Sequence, residues 1–207
     1  MRKKIGKYIA AIVLCVFIGY NSVYFKSLSK YKEESAGKTF DAVAYAKTYL
    51  NKELLPSIGK YPNVDTLLMQ LISNPKEAFK AHSHALSIGN IRFFMVKGTG
   101  EITSVKDHEV ILKTSDNKNL RIATEFVFGN ALRDASGEIK VEDFTNSMDL
   151  NNVSAEVNKL VRKEVLPSFK GKVKVGDKVA FAGAFEINQE YINLKDIEII
   201  PVKLTIQ

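Results

Sequence analysis

A chain of 207 residues with 45% apolar side chains is long enough for one domain with a proper core, and its net charge of +7 at first suggests a nucleic-acid partner. Four of those charges sit at Arg2, Lys3, Lys4 and Lys7, which leaves an interspersed +3 for the rest and no clustered footprint for phosphate. The single cysteine, Cys15, excludes an intrachain disulfide.

The basic head is followed by an apolar run from Tyr8 to Gly19. A basic head on an apolar stretch is read by export machinery, with the positive end held in the cytoplasm. Three fates are open. Cleavage by signal peptidase wants small residues at alternate positions, and no Ala-x-Ala occurs near residues 19–30. Lipidation at Cys15 wants a small residue before it, where Leu14 stands, and a polar tether after it, where Val16, Phe17 and Ile18 stand. Retention as an anchor from Tyr8 to Phe25 gives a run near the short limit for crossing a bilayer, weakened at Asn21 and Ser22. All three put residues 26–207 in the cell envelope, outside the cytoplasm. The expected organisation is a signal or anchor over 1–25, a polar tether over 26–38, a helical section over 39–88 and a β domain over 89–207.

A helix is expected to start at Thr39 as N-cap with Asp41 in its first turn, and to end at Pro56. A second runs from Val64 to Ser73 with Leu67, Leu68, Leu71 and Ile72 as its core face. Asn74-Pro75 restarts a short third helix through Phe79. From Arg92 the texture changes to strands. Arg92–Val105 is a long one, with a bulge or bend expected at Gly98 and Gly100. Glu109–Thr114 is a second, 115–119 a turn, and Leu120–Phe128 a third. That third strand turns Leu120, Ile122, Thr124, Phe126 and Phe128 toward the core, which leaves the outer face without aromatics. Residues 129–148 read as irregular, and 149–166 as a helix stopped by Pro167. Strands over Lys178–Ile187 and Tyr191–Ile206 follow, the latter splitting before Pro201. Lys52-Glu-Leu-Leu-Pro-Ser57 and Lys163-Glu-Val-Leu-Pro-Ser168 are near copies, read as two helices that end alike.

Three strands, a helix and two strands is the order of the OB-fold, a five-stranded barrel whose long first strand serves both sheets. The fold class expected is therefore α+β, mainly β, with an N-terminal helical section.

Few residues suggest chemistry. His82 and His84 could share one side of a strand and bind a metal, but only Glu77 or His108 offers a third ligand, and the plainer reading is two exposed side chains after a helix. No Gly-x-Ser-x-Gly, phosphate loop or cysteine outside the apolar run is present, so no enzyme, cofactor or metal site is expected. The richest polar cluster is the segment from Gly129 to Asp149. Arg133, Asp134, Asp143 and Asn146 could converge there on a polyhydroxylated ligand, because a guanidinium and carboxylates make paired contacts with hydroxyls. The structural alternative is that Arg133 pairs with Asp134 or Asp143 and that Asn146 or Asp149 caps the following helix.

On Val96-Lys-Gly-Thr-Gly100, Gly129-x-Ala-Leu-Arg-Asp134, Asp143-Phe-Thr-Asn146, the helix Ser154–Leu166, Phe181-x-Gly-Ala-Phe185 and Ile200-Pro-Val-Lys-Leu204, the chain resembles a family of bacterial predicted periplasmic lipoproteins. The likeness covers most of residues 40–207. It implies an OB-like barrel with a helical section before it and a loose association with sugar import, and it carries over no catalytic residue. The Leu14-Cys15 pair departs from the lipoprotein pattern. The expectation is a membrane-tethered, non-enzymatic binding or accessory protein. Its partner is an envelope or transporter protein or a small polar ligand, and an oligosaccharide- or nucleic-acid-binding module is the alternative. Nucleic acid is disfavoured by the charge pattern.

Overall fold

The computed structural model describes residues 40–207, together with Lys7, residues 13–18, Tyr20 and Ser27. Residues 13–18 and Tyr20 are helical and exposed. Most of the expected anchor and tether, and Thr39, lie outside the described residues. Among the described residues no helix is long and apolar enough to cross a membrane. Asp41–Gln207 form one compact unit.

The first described helix of that unit, α1 (Ala42–Thr48), is capped by Asp41, whose carboxylate accepts the Ala44 N–H at 2.9 Å. Pro56 does not end it. A π-helical turn over Tyr49–Leu54 leads into α2 (Leu55–Ser57), and a 3-10 turn closes at Lys60. A proline inside a helix has no N–H to give and presses on the carbonyl four residues back. The wider π turn, in which the Leu55 N–H reaches the Leu50 carbonyl, re-spaces the ladder just ahead of it. The second copy of the motif does the same. There α6 (Ser147–Leu160) passes through a π turn over Val161–Val165 into α7 (Leu166–Lys170), and the Leu166 N–H reaches the Val161 carbonyl. Pro167 therefore re-spaces its helix rather than stopping it.

Helix α3 (Val64–Ser73) has the expected bounds and is capped by Asn63. Its buried stripe is Val64, Leu67, Leu68 and Leu71, while Ile72 is exposed, because 100° per residue carries it off that face. Helix α4 (Pro75–His82) runs three residues beyond Phe79. Within the stretch expected to be irregular lie a short helix, α5 (Ala131–Asp134), and a 3-10 turn over Val141–Asp143.

The strands are β1 (Ser83–His84), β2 (Ile91–Val105), β3 (Glu109–Thr114), β4 (Asn119–Ala123), β5 (Lys178–Asn188) and β6 (Glu198–Ile206). The last five pair in the order β2-β3-β4-β6-β5 and close because β5 also pairs with β2. Only β4–β6 is parallel among these pairings. With α6 between β4 and β5, this is the OB arrangement. The long strand β2 serves both sheets, as its length predicts. Its bulge falls between Ile102 and Ser104 rather than at the glycines. Gly98 and Gly100 instead permit close packing. A Cβ at Gly98 would lie 2.9 Å from the Phe181 ring, and one at Gly100 2.5 Å from the Lys113 carbonyl oxygen. The fifth barrel strand begins at Glu198 rather than Tyr191, and Pro201 sits inside it beside a register shift.

Inside the barrel Phe94 stacks on Phe185 at 5.2 Å and meets the edge of Phe79 at 5.2 Å. Leu67, Leu68 and Leu71 of α3 and Phe169 of α7 belong to the same core as Leu112, Leu120, Ile122 and Ile199. The helical section thus shares the barrel's core. Each such side chain stabilises the fold by about 1.5–3 kcal/mol on burial. Strands β2 and β5 are buried on both faces, over 93–96 and 181–185 respectively.

Candidate functional site

The segment Gly129–Gly137 is mostly interior. Arg133 and Asp134 are 4% and 1% exposed, and their Nε and Oδ1 atoms are 2.5 Å apart. Arg133 Nη1 also reaches the Leu150 carbonyl and the Asn151 side-chain oxygen, each at 3.4 Å. Asp134 accepts the Leu86 N–H at 3.5 Å. Tyr49, buried beneath them, donates its hydroxyl to the Leu132 carbonyl at 2.7 Å and lies 2.8 Å from the Ser136 hydroxyl. Its phenol is pushed up chiefly by burial, so it stays neutral and available as a donor. Gly137 has φ +72, and a Cβ there would strike the His84 ring at 2.5 Å. This segment joins α1, α6 and the chain after β1.

The structure therefore brings Arg133 and Asp134 together inside the protein and leaves Asp143 and Asn146 on the surface. Asn146 caps α6, accepting the Asp149 N–H at 2.9 Å. The four residues do not converge on one pocket. His82 ends α4 while His84 lies in β1, so the two imidazoles do not share a strand face. Burial first, then Arg92, holds His84 below its ordinary pKa, and Glu138 pulls weakly the other way. Among the described residues no group of three or more His, Cys, Asp or Glu could hold a metal. Cys15 is a free, exposed thiol.

A polar cleft lies elsewhere, and two of its residues overturn the expected strand parity. Strand β4 ends at Ala123, so Thr124–Phe128 leaves the sheet. Val127 turns inward, and Phe126 and Phe128 turn outward, at 56% and 60% exposed. The sequence signal is the apolar triplet Phe126-Val127-Phe128, whose alternation takes the opposite phase when the strand is extended past Ala123. The loop is held from behind. Arg162 donates to the Val127 carbonyl, Asn158 donates to the Gly129 carbonyl at 2.8 Å, and the Arg162 guanidinium lies 4.7 Å from the Phe128 ring centre. Phe126 packs on His108 with ring centres 4.6 Å apart.

Between this loop and the outer faces of β4, β5 and β6 is a cleft of about 390 Å³. Phe126, Phe128 and Asn130 line it on one side, and Glu186, Asp196 and Glu198 on the other, with Arg121 among them. Arg121 pairs with Asp196 at 2.8 Å, Glu109 at 3.2 Å and Glu198 at 3.8 Å. Lys106 binds Glu109 at 2.6 Å, and it, with Arg121, holds that carboxyl below its usual range. Three carboxylates face one guanidinium in the lining, so the cleft repels phosphate. Aromatic faces beside carboxylates and an amide suit the apolar ring face and the hydroxyls of a polyol.

Residues 13–205 match the family described as "Predicted periplasmic lipoprotein (DUF2291)". No functionally curated protein matches the chain. Among solved structures, an OB-fold protein from Thermotoga maritima MSB8 is 31% identical, superposes with a TM-score of 0.73, and is covered over 100% of its length by 82% of this chain.

Proposed function

The chain belongs to the DUF2291 family of predicted periplasmic lipoproteins, and from that premise we propose that it is a membrane-tethered, non-catalytic binding or accessory protein of the cell envelope. Its ligand is a small polyhydroxylated molecule, taken in the cleft between Phe126 and Glu198, and its role is to assist sugar uptake alongside a transporter. The cleft carries this reading. Two outward phenylalanines, Phe126 packed on His108 and Phe128 under the Arg162 guanidinium, face carboxylates whose positions Arg121 organises. It adjoins β4, one of the strands whose outer face OB-folds use for oligosaccharides and oligonucleotides. The carboxylates weigh against the nucleic-acid alternative, because single strands want a basic groove.

The test is a titration of the full chain in detergent with neutral mono- and disaccharides, followed by calorimetry and melting temperature. A ligand that binds only the native state raises Tm with concentration. Binding is expected with a neutral sugar, lost in Phe126→Ala and Glu198→Gln at unchanged fold. Saturable binding of an oligonucleotide instead, or of a sugar that survives both substitutions, refutes the assignment.

A further inference from the structure

We infer that one end of the domain touches the bilayer directly, through two apolar loops. The loop preceding β2 and the loop following β5 are joined. The Gln189 N–H donates to the Asn90 carbonyl at 2.8 Å, and the Gln189 amide reaches Asn90 Oδ1 at 3.3 Å. Together they present Ile88, fully exposed at 107%, and Tyr191 at 77%, with Ile91 and Ile192 at 40% and 37% beside them. Residues 85–91 carry no charge, and residues 188–195 carry only Glu190 and Lys195. One exposed apolar side chain is ordinary; three on two hydrogen-bonded loops, with Ile91 at the start of β2, form a patch that favours leaving water.

The path of the chain says what covers it. Tyr45, in the first turn of α1, packs on Phe144 with ring centres 5.3 Å apart. Val141, in the adjoining 3-10 turn, lines the same depression as Ala85 and Leu86, where the first loop begins. The first turn of α1 and the start of the first loop therefore both lie beside the 3-10 turn over Val141–Asp143. Residues 21–40 can span at most about 70 Å, against a domain radius of gyration of about 15 Å. The connection thus permits the contact, and the apolar tip selects the orientation. A tyrosine beside isoleucines matches the polarity gradient of the headgroup boundary. With Glu190 and Lys195 offsetting each other, the contact is indifferent to anionic lipid and to salt.

This inference rests on the tethered reading only for the nearness of the bilayer, and its test separates the two. The chain has no tryptophan, so Ile88→Trp and Tyr191→Trp each supply a sole reporter. Val175→Trp is the control, at an exposed turn before β5, about 30 Å away along the β2–β5 ladder. Each full-length variant is reconstituted into phosphatidylethanolamine–phosphatidylglycerol vesicles containing phosphatidylcholine brominated in mid-chain. The two loop reporters should emit to the blue and be quenched several-fold more than the control. Tyr191→Glu should abolish the quenching of the Ile88→Trp reporter. Vesicles that carry the protein but quench all three reporters alike overturn the tip contact and leave the tether standing. Protein that does not float with vesicles overturns the tether, and the inference with it. A blue shift without bromine quenching that grows with protein-to-lipid ratio means that a second copy covers the loops, and also overturns it.

Discussion

Arg133 and Arg121 each sit among carboxylates, yet they do opposite work. Arg133 is sealed in with Asp134, and its Nη1 is aimed at backbone and amide oxygens of α6. Arg121 is a third exposed and shared among Glu109, Asp196 and Glu198 at the rim of an open cleft. Burial makes the difference. Two desolvated charges that meet only each other hold a fold together, because losing either leaves the other uncompensated. A solvated network adds little stability and keeps its carboxylates available.

The comparison breaks first at Arg133. Arg133→Ala should destabilise by about 3–5 kcal/mol, measured by denaturant unfolding. The double replacement Arg133→Met with Asp134→Leu should recover much of that loss, and a loss in the double variant equal to the sum of the two single losses would show that the pair does not act as a unit. Next comes Tyr49→Phe, which strips the donor from the Leu132 carbonyl and should cost about 1–3 kcal/mol. If the hydroxyl merely fills space, unfolding will be unchanged.

Arg121→Ala sharpens the contrast from the other side. Its effect on stability should stay within about 1 kcal/mol, while the sugar binding proposed for the cleft should fall markedly; a large loss of stability would place Arg121 with Arg133 as a structural residue. The smallest effect concerns pH. His84 is held below its ordinary pKa of 6.5 in the folded protein. As pH falls past 6.5 the unfolded chain takes the proton first, so stability declines until the folded value is passed, and is flat below it. His84→Gln should remove that component from a plot of unfolding free energy against pH, and an unaltered slope would locate it elsewhere.

Legibility in the sequence followed the range of the interactions. Helix α3 begins at an asparagine cap and ends at Asn74-Pro75, and β3 lies between two turns, so both have the expected bounds. Strand β4 has no such punctuation at Ala123. Nothing in residues 120–128 alone says that Arg162 and Asn158, far along the chain, will draw the loop off the sheet. The same lack hid the cleft, whose two sides come from segments about sixty residues apart. The proline-closed motifs were visible as copies, but their π turns depend on the packing that keeps each helix going past its proline.

The order of strands and helices, the closed barrel that order implies, and the family were determined by the sequence alone, because hydrophobic period, caps and turn residues act over a few neighbours. Which polar cluster is interior and which is open was decided only by tertiary structure. Arg133 and Arg121 each follow a leucine and each meet carboxylates in the fold. Their fates differ because α6 and the turn at Tyr49 close over one and nothing within Asp41–Gln207 closes over the other.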